Sequence, residues 1–331
     1  MTLPNLLDKK KCIKLVCGAG NEDSKLIEKL VAVYAKAGVH YFDLSPNQEV
    51  LLAVKSGISR VIQKNKIKDY FTCVSVGVAG DPHVMKAVID SKKCTNCGAC
   101  ALVCLQNAII KINDSDGKKC HYVLDKKCIG CGECAKVCKF GAIEFIYKKK
   151  DLKIILPPLI KLGIDSIELH AVTEDEKEPY KMWQEIGGIF PGILSLCLDR
   201  LHLGDEQLLN RVKRFIEKRK DFTTIVQADG APMSGSSDSN NTTLQAIATT
   251  DIVQKANLPV WILMSGGTNS KTTKLAKMFE VKASGISLGS YARKIISEEL
   301  NRDDFFENKE VFNKAYKKAK KLVNTSLKYL G

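Results

Sequence analysis

The sequence predicts an α/β chain, a (β/α)8 barrel carrying a small cysteine-rich insertion. Three observations predict it. Apolar, β-like runs alternate with amphipathic helical stretches eight times over about 240 residues. Eight of the thirteen cysteines form two identical runs between residues 94 and 138, interrupting that alternation after its third strand. Finally, glycine-containing loops follow the last two strands, SGGTN at 265–269 and GSYAR at 289–293, where barrels commonly hold phosphate groups. A doubly wound open sheet is the alternative reading.

Taken in order, residues 13–17 form the first expected strand, ending in Gly18, Ala19 and Gly20 before a helix over 23–37 that stops at Gly38. Residues 40–44 and 71–76 give the second and third strands, with a helix over 49–63 between them. The loop 77–81 leads into the cysteine-rich stretch. Beyond it a short helix is expected over 157–162, because proline suits a first helical turn. Strands follow at 166–170, 193–198, 223–228, 260–264 and 285–288, each a short apolar run. Helices are expected after them at 178–185, 204–218, 243–256, 270–279 and 291–297. Residues 305–330 place Phe312, Ala315, Tyr316, Ala319, Leu322, Val323 and Leu327 at helical spacing. That reads as a helix across the barrel with its lysines in solvent, rather than a membrane-surface helix. The expected organisation is a discontinuous barrel domain (1–90 and 148–300), an insertion (91–147) and a basic helical extension (301–331).

The insertion carries the strongest chemical signal. Cys94, Cys97, Cys100 and Cys104 give C-x2-C-x2-C-x3-C, and Cys128, Cys131, Cys134 and Cys138 repeat it. The stretches 93–109 and 127–143 share ten of seventeen residues, so the module is an internal duplication. This is the bacterial ferredoxin run for two [4Fe–4S] clusters, in which the fourth cysteine of each run ligates the other cluster. Cys94, Cys97, Cys100 and Cys138 are therefore expected to hold one cluster, and Cys128, Cys131, Cys134 and Cys104 the second. Gly98 and Gly132 recur where the loop must turn tightly. Paired C-x2-C steps also hold zinc, but four thiols per half and no paired histidines argue against it. Ferredoxin runs usually carry proline after the fourth cysteine; Leu105 and Lys139 stand there instead.

Composition bounds the rest. With 45% hydrophobic and 27% charged residues the chain is ordinary for a globular protein. It has no apolar run of about 18 residues, so no membrane span is expected. Residues 1–11 are polar and basic without the apolar core of a secretory signal. Cluster ligation needs reduced thiols, so the expected location is cytoplasmic. The net charge is +14, partly offset by about two negative charges per oxidised four-thiolate cubane. No recognised nucleic-acid motif accompanies that charge. A Lys-rich surface for an acidic redox partner protein is the preferred explanation.

Strand alternation selects residues for the barrel mouth. Glu168 and His170 share the face opposite Ile167 and Leu169; Cys197 and Asp199, Gln227 and Asp229, and Asp43 and Ser45 are read the same way. Glu168, His170 and Asp229 are the acid–base candidates, His170 alone titrating near neutrality when unperturbed. Gly266, Gly267, Thr268, Asn269, Gly289, Ser290 and Arg293 form a candidate site for a phosphorylated substrate or a flavin such as FMN. The loop 228–235 (ADGAPMSG) is a candidate to reach over the mouth, and Cys17 is the candidate mouth-lining thiol.

At KLVCGAG (14–20), GDPHVMKA (80–87), the cysteine runs, QADGAPMSG (227–235), SGGTN and GSYAR, the chain resembles the light-dependent period (LdpA-like) family of iron–sulfur proteins. The resemblance covers nearly the whole chain up to about residue 300. It implies a redox-active protein with two [4Fe–4S] clusters, linked in cyanobacteria to redox sensing for the circadian clock; that clock role need not transfer. The expected function is electron transfer or redox sensing. If the barrel is catalytic, the implied class is an iron–sulfur, flavin-linked oxidoreductase.

Overall fold

Eight parallel strands close into one barrel in the computed structural model, which describes residues 1–113, 116–230 and 240–330. The N-terminal part contains α1 (Leu3–Asp8), β1 (Cys12–Val16), α2 (Ser24–Ala37), β2 (Tyr41–Leu44), α3 (Gln48–Val61) and β3 (Phe71–Gly77). The insertion contains β4 (Met85–Ile89), α4 (Ala99–Leu102), β5 (Ile109–Asn113), β6 (Lys119–Val123), α5 (Glu133–Lys136) and β7 (Ile143–Tyr147). The barrel resumes with α6 (Leu152–Lys161), β8 (Ser166–His170), α7 (Lys177–Ile189), β9 (Ile193–Asp199), α8 (Asp205–Ile216) and β10 (Thr224–Asp229). It ends with α9 (Asn240–Lys255), β11 (Trp261–Ser265), α10 (Thr272–Met278), β12 (Gly285–Leu288), α11 (Ser290–Lys294), α12 (Ser297–Leu300) and α13 (Lys309–Tyr329). Around the barrel the order is β1-β12-β11-β10-β9-β8-β3-β2. Closure between β1 and β12 rules out the open doubly wound sheet.

The strands alternate between two environments. Ile13, Leu15, Ile167, Leu169, Leu196 and Val226 face outward into the core shared with the helices. Inside, the bottom layer is apolar: Cys12, Tyr41, Phe71, Cys73, Ile225, Trp261 and Leu263 pack on Leu3, Leu6 and Leu7 of α1. The first helix thus plugs the barrel floor, and Trp261 Nε1 donates to Asp8 Oδ1 (2.8 Å). Burying the three leucines contributes about 1.5–3 kcal/mol each. No sequence pattern had marked α1, because six residues are too few for a helical period.

The helices begin where short polar side chains cap them. Asp23 accepts from the Leu26 amide (3.1 Å) at α2, which Gly38 ends with φ +102°. Asn308 caps α13, which buries Ala315, Ala319, Leu322 and Val323 and packs along α2. Two expectations need correction, and a third falls outside the described residues. The helix expected over 157–162 runs from Leu152 to Lys161, with Pro157 and Pro158 in its interior. Asp151 caps it through Lys153 N, and Leu152, Leu156 and Leu159 bury, so cap and core outweigh proline's preference for a first turn. Residues 291–297 divide between α11 and α12. The loop 228–235 lies outside the described residues from 231 onward.

The insertion leaves the barrel after β3, at the C-terminal ends of the strands. One of its sheets pairs β4 antiparallel with β7, joining Met85 to Tyr147 and Ile89 to Ile143. β4 therefore belongs with the insertion although it lies before the boundary expected at residue 90. A second antiparallel pair, β5–β6, matches Ile109 with Val123. Among the described residues no helix is long and apolar enough to cross a membrane.

Candidate functional site

Above the apolar floor the barrel interior is charged. Lys14 of β1 is fully buried, and its Nζ donates to Glu168 Oε2 (2.6 Å) and Gln227 Oε1 (3.2 Å). Ser195 Oγ donates to Glu168 Oε2 (2.6 Å), Gln227 Nε2 to Glu168 Oε1 (2.8 Å), and Ser287 Oγ to Gln227 Oε1 (2.8 Å). Asp43 lies 3.7 Å from Lys14 Nζ and accepts from Ser75. Burial alone would raise Glu168, but Lys14 and His170 hold it well below the ordinary carboxylate range. Glu168 is thus the anchor for the Lys14 ammonium. Burial raises Asp43, with Lys14 opposing.

One layer higher, at the mouth, sit His170, Cys197, Asp229, Asp81 and His83. His170 is 2% exposed, and neither ring nitrogen has a hydrogen-bond partner among the described residues. Its Nε2 is 3.0 Å from Glu168 Oε1, without the alignment of a hydrogen bond. Burial raises Asp229, whose Oδ2 accepts from Cys197 Sγ (3.4 Å). Burial pushes His83 down, but Asp81, then Asp229 and Glu168, pull it up to about 9. A cavity opens over this layer, bounded by His83, His170, Gln227, Asp229, Ser265, Gly266, Gly267, Thr268, Ser287, Gly289, Ser290 and Arg293. Its free space is about 70 Å³, smaller than the usual ligand pocket.

The structure thus brings Glu168, His170 and Asp229 into one barrel interior, and six of the seven loop candidates onto one cavity. Asn269 is the exception. Its Oδ1 accepts from Lys271 N (3.0 Å), turning the chain into α10, and it does not line the cavity. Gly266 and Gly267 adopt φ +64° and +80°, which a residue with a Cβ rarely does. Arg293 is 7% exposed; its Nη2 donates to Cys17 O (2.6 Å), and its Nε has no partner among the described residues. Cys17 itself does not line the mouth. It is fully buried on the helix side, and burial pushes its thiol up to about 12. Sequence reasoning missed Lys14, Asp81 and His83 as members of the site.

The cysteine module docks directly on this mouth. Ile129, between Cys128 and Cys131, lines the cavity beside Gly20 and His83. Lys86, 8% exposed, donates to the carbonyls of Gly20, Asp125 and Cys128, tying the β1 loop to the second cysteine run. Gly130 packs so closely that a Cβ there would overlap Pro82 O and lie 2.6 Å from Met85 O. Arg293 and Ser290 also border a groove containing Cys131 and Glu133.

The thiols group across the two runs. Cys94, Cys97, Cys100 and Cys138 line one small pocket. Burial, then the neighbouring Cys131, Cys128 and Cys104, raises Cys134 to about 12. Thiols that oppose one another's ionisation need a cationic centre to become ligands together. Backbone amides already point at two sulfurs, Ala87 N to Cys128 Sγ (3.4 Å) and Ala108 N to Cys104 Sγ (3.3 Å). Gly98 and Gly132 open α4 and α5 at φ +81° and +82°, giving the two runs the same turn. This donor set fits iron–sulfur clusters.

Residues 159–326, just over half of the chain, match the family model described as the light dependent period A C-terminal domain. The chain belongs to the light dependent period A family. Residues 93–142 match a 4Fe-4S dicluster domain, so this family member is an iron–sulfur protein. The protein named Light dependent period A from Synechococcus elongatus (strain ATCC 33912 / PCC 7942 / FACHB-805) is 29% identical over 305 residues, 87% of this chain and 81% of that one. Among solved structures, the YdjI aldolase from Escherichia coli K12 aligns with a TM-score of 0.51 at 9% identity, over 100% of this chain and 97% of that one. That likeness is one of fold: the family's C-terminal domain supplies the later part of a barrel, and the dicluster domain sits in its third βα loop.

Proposed function

We propose that this light dependent period A chain binds two [4Fe–4S] clusters and serves electron transfer or redox sensing. Cys94, Cys97, Cys100 and Cys138 would hold one cluster, and Cys128, Cys131, Cys134 and Cys104 the other. When bound, the clusters supply one-electron exchange. The observation that carries this reading is the crossed grouping of the thiols: Cys138 in the pocket of the first run and Cys104 beside the second. Cys97 is exposed, giving a redox partner protein access to the first group. The second group lies against the barrel, where Lys86 and Gly130 hold its loop. Ligation of iron by thiolates also favours a reducing, cytoplasmic setting.

Anaerobic reconstitution of the full chain tests it. About eight irons and eight sulfides per chain are expected. Cys104→Ser with Cys128→Ser should leave one cluster, about four irons, because both residues serve the same one. Cys104→Ser with Cys94→Ser should lose both. Equal losses in the two double variants would overturn the crossed assignment, and stoichiometric zinc without sulfide would overturn the clusters.

A second reading is favoured by the mouth cavity: an oxidoreductase whose barrel binds a flavin or phosphorylated substrate. Gly266, Gly267, Thr268, Gly289 and Ser290 would approach the anion, and Arg293 would neutralise it. Its buried Nε without a partner is the supporting observation. Flavin analysis of the same preparation, with Arg293→Ala as control, separates this reading from a barrel that binds neither.

A further inference from the structure

Asp81 and His83 stand in the GDPH stretch between β3 and β4, and neither the cluster reading nor the phosphate reading uses them. They meet His170 at the mouth. His83 Nδ1 is 2.7 Å from Asp81 Oδ1, His170 Nδ1 is 3.6 Å from Asp81 Oδ2, and the two imidazole centroids are 4.5 Å apart. One donor atom from each of the three residues lies within 4.8 Å of the others. Donors around a four-coordinate ion at about 2.0–2.1 Å stand about 3.3 Å apart, so small side-chain movements would close the set.

The polar groups are short of partners here. Asp81 is fully buried, with Oδ2 unpaired among the described residues, and both nitrogens of His170 are in the same condition. Buried polar atoms without partners cost about 1–3 kcal/mol each, and two of these, Asp81 Oδ2 and His170 Nδ1, face each other at 3.6 Å. The adjacent set of Glu168, His170 and Cys197 also has cation-binding spacing. It is the poorer site, because Glu168 is already bound by Lys14, Ser195 and Gln227, and the Lys14 ammonium repels a second cation.

We propose that Asp81, His83 and His170 bind one divalent first-row transition-metal ion at the barrel mouth, separate from the cysteine clusters. Two imidazoles and one carboxylate are the donor set of mononuclear zinc and non-haem iron(II) sites. His83 and His170 both border the cavity, so the ion keeps an open side towards whatever enters it. Asp229 Oδ2, 3.9 Å from His83 Nε2, stands next to the set. The same feature gives the DPH turn a purpose that its loop position alone does not.

Zinc is the probe. Holoprotein with both cysteine runs intact is equilibrated anaerobically with Zn²⁺, desalted, and analysed for zinc, iron and sulfide. About one zinc per chain is expected with iron and sulfide unchanged, and zinc-edge X-ray absorption should show N/O donors at about 2.0–2.1 Å. Asp81→Asn and His170→Gln should each weaken zinc binding at least tenfold, their sulfide content certifying the fold. His83→Gln, at the more exposed imidazole, serves as the third variant should either buried one fail to fold. Wild-type protein that retains no zinc, variants that bind as tightly as wild type, or sulfur donors at about 2.3 Å would overturn the site. Loss of sulfide on zinc addition marks displacement of iron from the cysteines and counts against it too.

Discussion

Lys14 shows how a single residue organises the barrel interior. A lysine between Ile13 and Leu15 has a solvent-facing default, yet here it is fully buried between Glu168 and Asp43. Removing it strands two carboxylates in the core. Lys14→Met should destabilise the holoprotein by about 3–5 kcal/mol in urea unfolding, and a loss below about 1 kcal/mol would show that the carboxylates find other partners. Alternation within β8 and β10 is enough to identify Glu168, His170, Gln227 and Asp229 as interior, since Ile167, Leu169, Ala171 and Val226 face outward. Lys14 obeys the same alternation, but its residue type argues for solvent and hides it. Asp81 and His83 lie in a loop, where no period exists to read. Asn269 carried a plausible anion-binding residue type, and only the turn it makes with Lys271 shows that it faces elsewhere.

Among the elements, glycines in the cysteine loops separate two kinds of constraint. Gly98 has φ +81° with open space around its Cβ direction, whereas Gly130 has φ +74° and backbone carbonyls in the way. Gly98→Ala should cost about 1–2 kcal/mol of backbone strain alone. Gly130→Ala should also lift the second cysteine loop from the barrel, read as faster hydrogen exchange at residues 80–87 and 126–132; exchange unchanged from wild type would contradict that docking. The C-terminal helix has a pH-dependent tie. Glu299 of α12 accepts from Lys318 of α13 (2.8 Å). Burial raises its carboxyl, but Lys318 and Lys314 bring it below the ordinary value. A depressed carboxylate stabilises above its unfolded pKa, about 4.3, and that contribution is lost as pH falls through the lower folded value. Glu299→Gln should lower Tm by about 2–4 °C near pH 7, with the gap closing at acid pH. The strand sequence was legible because barrel strands are short apolar runs. The start of α6 was not, because the Asp151 cap, six residues before Pro157, outweighed two prolines.

For the whole molecule, the excess of 51 Lys+Arg over 37 Asp+Glu bears on encounter rather than fold. On the proposed electron-transfer reading, exchange with an acidic carrier should slow about tenfold between low and high salt, measured by stopped flow. A rate indifferent to salt would remove electrostatic docking from the account. The architecture was legible as a barrel with an insertion, because the cysteine duplication interrupts a regular βα rhythm. What remained hidden was the intimacy of the two parts: the contact depends on Gly20, Lys86 and Gly130, which look unremarkable in the chain. The placement of the insertion has a consequence for biogenesis. Chains emerge from the ribosome N-terminus first, so β1, β2 and β3 are made before any cysteine of the runs, and β8 to β12 only afterwards. Iron arriving during synthesis would meet a half-built sheet with its edge open, and a chain completed without iron or sulfide would close its barrel beneath an unfinished mouth.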